Sequence, residues 1–429
     1  MKVLMFGWEF PPYMSGGLGT ACLGITRALT EDQVEILFVM PGSQVPDDEK
    51  FIRFTGPHSP RMEEELSPQK AHDTFLKKFL VDSPLSPYMN EQTYGIRNRW
   101  RTNILAGKGK TKVTPFKVYE SNLFSEIERY GHFAKWIALE EDFDVIHSHD
   151  WMTSRAAYQA REISGKRWLF HVHSLEYDRS GEAVNPEIWR VEQTGLQQAD
   201  HIIAVSDYTK QRIVKYYGIS PHKITVVHNG VAQDPLPRQA AIPRPAKTPG
   251  KNVLFLGRIT FQKGPDYFIE AAAEVLKHIP DASFFMAGSG DMMPAMIERV
   301  AELGIGQNVH FTGFLQGEEL EEIFRMSDVY VLPSVSEPFG ISPLEAIRYG
   351  IPVILSRQSG VSEIIRHCFL VDFWNIHDMA DKIIALLRRK PLVEEMHAKA
   401  KEELFKITWR SAAEKIRSVY QRAIYNEGV

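Results

Sequence analysis

The chain is poor in cysteine: Cys22 and Cys368 are its only two among 429 residues. They lie far apart, so the sequence carries neither a disulfide framework nor a cysteine-rich metal site, and it suits a reducing compartment. An excess of charge of one sign is also missing. Lysine and arginine number 50 against 54 for aspartate and glutamate, a net charge of −4. Bulk attraction to nucleic acid or an anionic membrane is thereby excluded, and only a local basic pocket remains open. No apolar run approaches the roughly 18 residues of a spanning helix. The opening MKVLMFGWEF is interrupted at Trp8 and Glu9, too early for the apolar part of a signal peptide. No short-period repeat is present. The expectation is a soluble cytoplasmic protein without stable membrane insertion and without a nucleic-acid partner. Its oligomeric state is left open.

What is present is an ordinary globular balance, 44% hydrophobic and 24% charged, over a length that suits two or three domains. Short apolar runs (KVLMF, VEILFV, DVIHS, WLFHVH, HIIAVS) alternate with stretches of helical spacing such as LGTACLGITRAL and DYTKQRIVKYY. Continuous apolar strands separated by helices predict parallel β-α-β units. The pattern stops in the proline-rich stretch AQDPLPRQAAIPRPAKTPG and restarts with NVLFLG, ASFFMAG, NVHFTG, DVYVLP and PVILS. The fold class is therefore α/β, with two doubly wound halves. The first covers 1–235 and carries a polar, irregular insertion at about 41–118 that includes the basic run AGKGKTK. A linker spans 236–250, and the second half covers 251–408. The last segment, 409–429, is helical by spacing, with Trp409, Ala412, Ile416, Val419 and Tyr420 on one stripe.

In open α/β sheets ligands bind beyond the carboxyl ends of the strands, and two such halves place the natural site between them. After the first strand, GWEFPPYMSGGLGTA puts Gly16 and Gly17 before a helix, where backbone N–H groups can approach an anion. The spacing G-G-x-G is not the dinucleotide fingerprint, which argues against a nicotinamide cofactor. Asp150 in HSHDWMT precedes an apolar helix, with an N-cap as the plain alternative. His171 and His173 in FHVHSLEY share one strand face. A metal pair is conceivable there, but no carboxylate or cysteine spacing completes a site, so no metal is expected. In GRITFQKG, Arg258 and Lys263 leave a strand end as two cations suited to a diphosphate. In SVSEPFGISPLEAIRYG, Glu337 follows a strand and Gly340 permits a turn. Ser342 and Pro343 read as N-cap and first helical residue, and Glu345 falls in the first turn.

Taken together, these motifs resemble those of the retaining glycosyltransferases of GT-B architecture in the group 1 superfamily, close to the glycogen and starch synthases. The resemblance covers nearly the whole chain. PPYMSGGLG is similar to the family's amino-terminal glycine loop, and DVIHSHDW to its H-D-W segment. FHVHSLEY resembles the segment V-H-N-L-x-Y, which maps the family's active-site histidine to His173. GRITFQKG is similar to G-R-L-x-x-Q-K-G, and EPFGISPLE matches E-x7-E, with Glu337 at the sugar and Glu345 at the ribose. VVHNGV resembles the end of the first domain, and the helix of Trp409 resembles an element that crosses back to it. Met14 stands where bacterial glycogen synthases carry lysine, Ser174 where the histidine loop has asparagine, and no motif is matched in 51–118.

The resemblance implies a hexosyltransferase, retaining and metal-independent. It would move glucose from UDP- or ADP-glucose to the non-reducing end of an α-1,4-glucan. The same fold acting on a small sugar, a sugar phosphate or a lipid-linked acceptor is the alternative. No cofactor is implied beyond the nucleotide-sugar co-substrate. The implied catalytic set is Asp150, His173, Arg258, Lys263 and Glu337. The implied donor-binding set adds Gly16, Gly17, Phe314, Leu315, Phe339, Gly340, Ile341, Ser342 and Glu345 to the two cations and Glu337. A sugar-binding protein that has lost its chemistry and an epimerase of the same architecture are the readings from other classes.

Overall fold

The structure, a computed structural model, describes residues 1–10, 16–41, 52–54, 75–81, 123–233 and 251–425. The linker 236–250, Met14, the run AGKGKTK and most of the insertion at 41–118 lie outside the described residues. Two parallel sheets carry the fold. The first has eight strands in the order β3-β4-β2-β1-β5-β6-β7-β8: β1 Lys2–Phe6, β2 Glu35–Pro41, β3 Ile52–Phe54, β4 Leu76–Val81, β5 Val145–His149, β6 Trp168–Val172, β7 His201–Ala204 and β8 Ile224–Val226. The second has six, in the order β11-β10-β9-β12-β13-β14: β9 Asn252–Leu256, β10 Ser283–Ala287, β11 Val309–Gly313, β12 Val329–Leu332, β13 Val353–Ser356 and β14 Phe369–Val371. The central strands are largely apolar and buried on both faces, because crossover helices cover both sides; β5 departs from this with His147, Ser148 and His149. The two short strands β3 and β4 fall inside the stretch read as an irregular insertion and extend the edge of the first sheet. Their polar sequence, with Lys77 and Lys78 in β4, hides them from an apolar-run search.

The helices that matter for the site are α1 (Gly17–Glu31), α2 (Leu123–Glu140), α3 (Trp151–Ser164), α4 (Glu176–Ser180), α5 (Pro186–Gln198) and α6 (Asp207–Tyr217) around the first sheet. Around the second lie α7 (Pro265–Leu276), α8 (Met293–Glu302), α9 (Gly317–Met326), α10 (Ser342–Arg348), α11 (Ile376–Arg388) and α12 (Lys390–Leu404). The last helix, α13 (Trp409–Tyr425), returns to the first sheet: Ala412, Ala413, Ile416, Val419, Tyr420 and Ala423 are buried in that sheet's core. Trp409 lies over Gly24 of α1, where a Cβ would overlap the indole. Val231 and Thr408 pair in parallel, so the segments leaving and re-entering the first half run side by side. Trp409→Ala is expected to lower stability by about 3 kcal/mol, the low end for a large aromatic because the ring is half-buried. Chemical denaturation would measure it. Among the described residues no helix is long and apolar enough to cross a membrane.

Candidate active site

Strand order reverses between β1 and β5 in the first sheet and between β9 and β12 in the second. Crevices open beyond the carboxyl ends of strands at such switch points. Here both crevices face one cleft of about 420 Å³. Every residue assigned to the site from sequence lines it: Gly16, Gly17, Asp150 and His173 from the first half, and Arg258, Lys263, Phe314, Leu315, Glu337, Phe339, Gly340, Ile341, Ser342 and Glu345 from the second.

On the first wall, Gly16 precedes α1 with extended backbone, and nothing lies within 4 Å of a Cβ built on Gly17. Glu9, wholly buried, accepts the Gly19 N–H at 2.9 Å and pins the first turn of α1 behind the glycines. Asp150 does not cap α3 with its side chain. Instead its Oδ1 accepts the N–H groups of His173 at 2.6 Å and Ser174 at 3.2 Å, fixing the loop after β6 against the end of β5. Its backbone has φ 57°, one of two positive values among described non-glycine residues. Burial pushes the Asp150 carboxyl up to about 7, against the pull of the His173 N–H. Burial holds the His173 imidazole down at about 3, so it is neutral at ordinary pH.

The second wall departs from the sequence expectation in its pairing. Lys263 and Glu337, read as separate contacts to diphosphate and sugar, form an ion pair with each other. Arg258 donates to Gln262 Oε1 at 2.7 Å. The Ser342 hydroxyl does not cap α10 but bonds the Tyr330 hydroxyl at 2.7 Å, and the helix starts at Ser342 itself. Glu345 sits in the first turn as expected, half-buried rather than on the surface, and burial raises its pKa. Gly340 has φ 97°, a conformation only glycine adopts without strain.

Sequence reasoning missed three features. Gly288 and Ser289, after β10, also line the cleft. Gly288 has φ 140°, and a Cβ there would strike the Gly257 carbonyl. The signal was AGSGD at a strand end. Glu9 was seen only as a break in an apolar run. The third is a clasp between the halves. Glu363, in the short 3-10 turn Gly360–Glu363, accepts the N–H groups of Asp207 at 2.9 Å and Tyr208 at 2.7 Å and bonds His228 Nε2 at 2.8 Å. Ser336 donates to Asp178 Oδ1 at 2.6 Å, and Ser206 donates to the Pro338 carbonyl at 2.5 Å. No motif marks these contacts, because they exist only once the halves face each other.

Two facing Rossmann-like sheets with a returning terminal helix are the GT-B architecture of glycosyltransferases. Solved structures share it: sucrose-phosphate synthase of Thermosynechococcus elongatus aligns with a TM-score of 0.74 at 17% identity over 99% of both chains. An Anabaena protein solved with UDP-glucose aligns at 0.69 and 16% identity over 98% of this chain and 99% of that one. At these identities the likeness is one of fold. In sequence, the profile of the glycosyl transferases group 1 matches residues 239–403, and that of glycosyltransferase family 4 matches 109–234. An uncharacterized glycosyltransferase of Methanocaldococcus jannaschii is 27% identical over 380 residues, 86% of this chain and 83% of the relative. The D-inositol 3-phosphate glycosyltransferase of Mycolicibacterium smegmatis is 31% identical over 304 residues, 66% of this chain and 68% of the relative. The chain belongs to the group 1 glycosyltransferases.

Proposed function

We propose that this enzyme transfers a hexosyl unit, with retention at the anomeric carbon, from a nucleoside-diphosphate hexose such as UDP- or ADP-glucose to a hydroxyl of a sugar or sugar-phosphate acceptor. The observation that carries the reading is the composition of the cleft. Two cations and two carboxylates stand on the wall of one nucleotide-type switch point and face a glycine turn, Asp150 and a neutral histidine on the other. The donor's nucleoside lies along Phe314, Leu315 and Glu345, with the Glu345 carboxylate taking ribose hydroxyls. Breaking the glycosidic bond leaves negative charge on the diphosphate. Arg258 and Lys263 stabilise that charge, a role in which preorganised donors contribute most. Lys263 exchanges Glu337 for the phosphate on donor binding, which releases the Glu337 carboxylate to hold the sugar hydroxyls. His173 bonds the sugar as a neutral imidazole. Asp150 acts by holding the His173 loop. The acceptor hydroxyl attacks the face that the leaving phosphate vacates, and its proton departs with the phosphate oxygen. With two cations in place the step needs no catalytic metal.

The motifs alone favour an α-glucan acceptor. The names of relatives favour the alternative: curated relatives act on inositol 3-phosphate by name, and structural neighbours are sucrose-phosphate and trehalose-6-phosphate synthases. Nucleotide release would be measured with UDP-, ADP- and GDP-hexoses against phosphorylated sugars and polyols and against glycogen. Faster release with a phosphorylated acceptor, lost in Glu337→Ala, supports the reading. Stimulation by glycogen alone would restore the glucan acceptor. No acceptor-dependent release from any donor would overturn the proposal.

A further inference from the structure

In the first half, from the cleft at His173 inward, four histidines stand together. His147 and His149 lie on β5, His171 lies on β6 and His173 follows it, and the strand register sets His149 beside His171. Residues two apart on a strand face the same way. HSH and HVH therefore stack into a ladder, with ring centroids 4.4 Å apart for His147 and His149 and 4.3 Å apart for His171 and His173. His147, His149 and His171 are wholly buried. One ring nitrogen of each lies within 4.8 Å of those of the other two. The outer nitrogens are held: His147 Nδ1 bonds the Tyr420 hydroxyl of α13, and His149 Nδ1 bonds His173 Nε2 at 2.9 Å. The Nε2 atoms of His149 and His171 are buried with no hydrogen-bond partner. Buried polar atoms ordinarily have a partner, and here two without one occur in one place.

We propose that His147, His149 and His171 bind a divalent first-row transition metal ion, zinc by ligand preference. Neutral imidazoles are the usual donor set for such ions, and those of His147 and His149 have their far nitrogens fixed by a partner. His147 Nε2 and His171 Nδ1 are 3.2 Å apart. That is close to the spacing of about 3.3 Å that two nitrogens take around a tetrahedral zinc at about 2.0–2.1 Å. The ion ties β5 and β6 together and reaches α13 through Tyr420. Its three ligands do not line the cleft and the diphosphate has its own cations, so it does not touch the reacting groups; His149 links it to His173.

Untagged protein would be loaded with zinc, dialysed against metal-free buffer and assayed for metal content. Cobalt-loaded protein would be read for visible d–d bands, and copper-loaded protein for imidazole nitrogen couplings by electron paramagnetic resonance. About one ion per chain is expected, with cobalt bands and several coupled nitrogens. His147→Phe with His171→Phe should lose all three signals, and the exposed His222→Gln should keep them. The copper spectrum of the unaltered protein decides the matter if the double variant does not fold. No ion retained by the unaltered protein, or an ion retained unchanged by a folded double variant, would overturn the proposal.

Discussion

Alanine at Lys263 is expected to lower turnover by about 10²–10³-fold, the range seen when one preorganised donor is removed from a developing anion. The same change should also destabilise the fold, and the two effects have different origins. Lys263 is the ion-pair partner of Glu337, which is only 5% exposed. Removing one member of a buried pair leaves the other charge uncompensated, at about 3–5 kcal/mol in fully buried cases. This pair borders an open cleft, so the lower end applies. Glu337→Gln in the Lys263→Ala background removes the stranded charge and should recover most of the stability. Turnover should stay low, because the diphosphate still lacks its cation. Arg258→Ala is the companion variant. It should cost a similar factor in turnover, since it removes the other cation from the developing charge. Denaturation curves and single-turnover rates on the three variants separate the roles. Turnover unchanged in both Lys263→Ala and Arg258→Ala would remove the two cations from the reaction.

The second large effect belongs to Asp150. Its carboxylate holds two backbone N–H groups of the His173 loop, and its own backbone sits at φ 57°. For a non-glycine residue that conformation costs about 1–3 kcal/mol. Alanine keeps the strained backbone and loses both bonds. Turnover should fall at least tenfold and stability by about 2–4 kcal/mol, from two stranded N–H groups. Glycine loses the same bonds but relieves the strain. Asp150→Gly should therefore be the more stable of the two and no more active. Asparagine retains an acceptor oxygen and should keep most of the stability. If Asp150→Gly matched the parent in turnover, the carboxylate would have no part in positioning His173. Equal stability of the alanine and glycine variants would mean that the backbone stores no strain.

How much of this was legible beforehand depends on what each feature requires. Asp150, Arg258, Lys263 and Glu337 follow strands whose apolar runs are plain in sequence, so the rule of looking past strand ends found them. The pairing of Lys263 with Glu337 could not be read, because it depends on β9 lying beside β12, the two residues being 74 positions apart in the chain. The histidine ladder failed in the same way. HSH and HVH are each visible, but only the adjacency of β5 and β6 sets His149 against His171. The strand β4, next to the edge of the first sheet, escaped because its lysines break the apolar pattern. Contacts made by topology are silent in a single sequence, whereas residues tied to a local strand-to-loop transition are not.

The return of α13 to the first sheet bears on how the protein is made. Synthesis runs from the amino end, so residues 1–233 leave the ribosome early, without the six residues of α13 that finish their core. The later half can close its own sheet before α13 emerges, since its strands and helices α7 to α12 all precede Trp409. The half translated first is thus completed last. In the interval the face of α1 that α13 covers stays bare, the kind of transient apolar surface that recruits chaperones and invites aggregation.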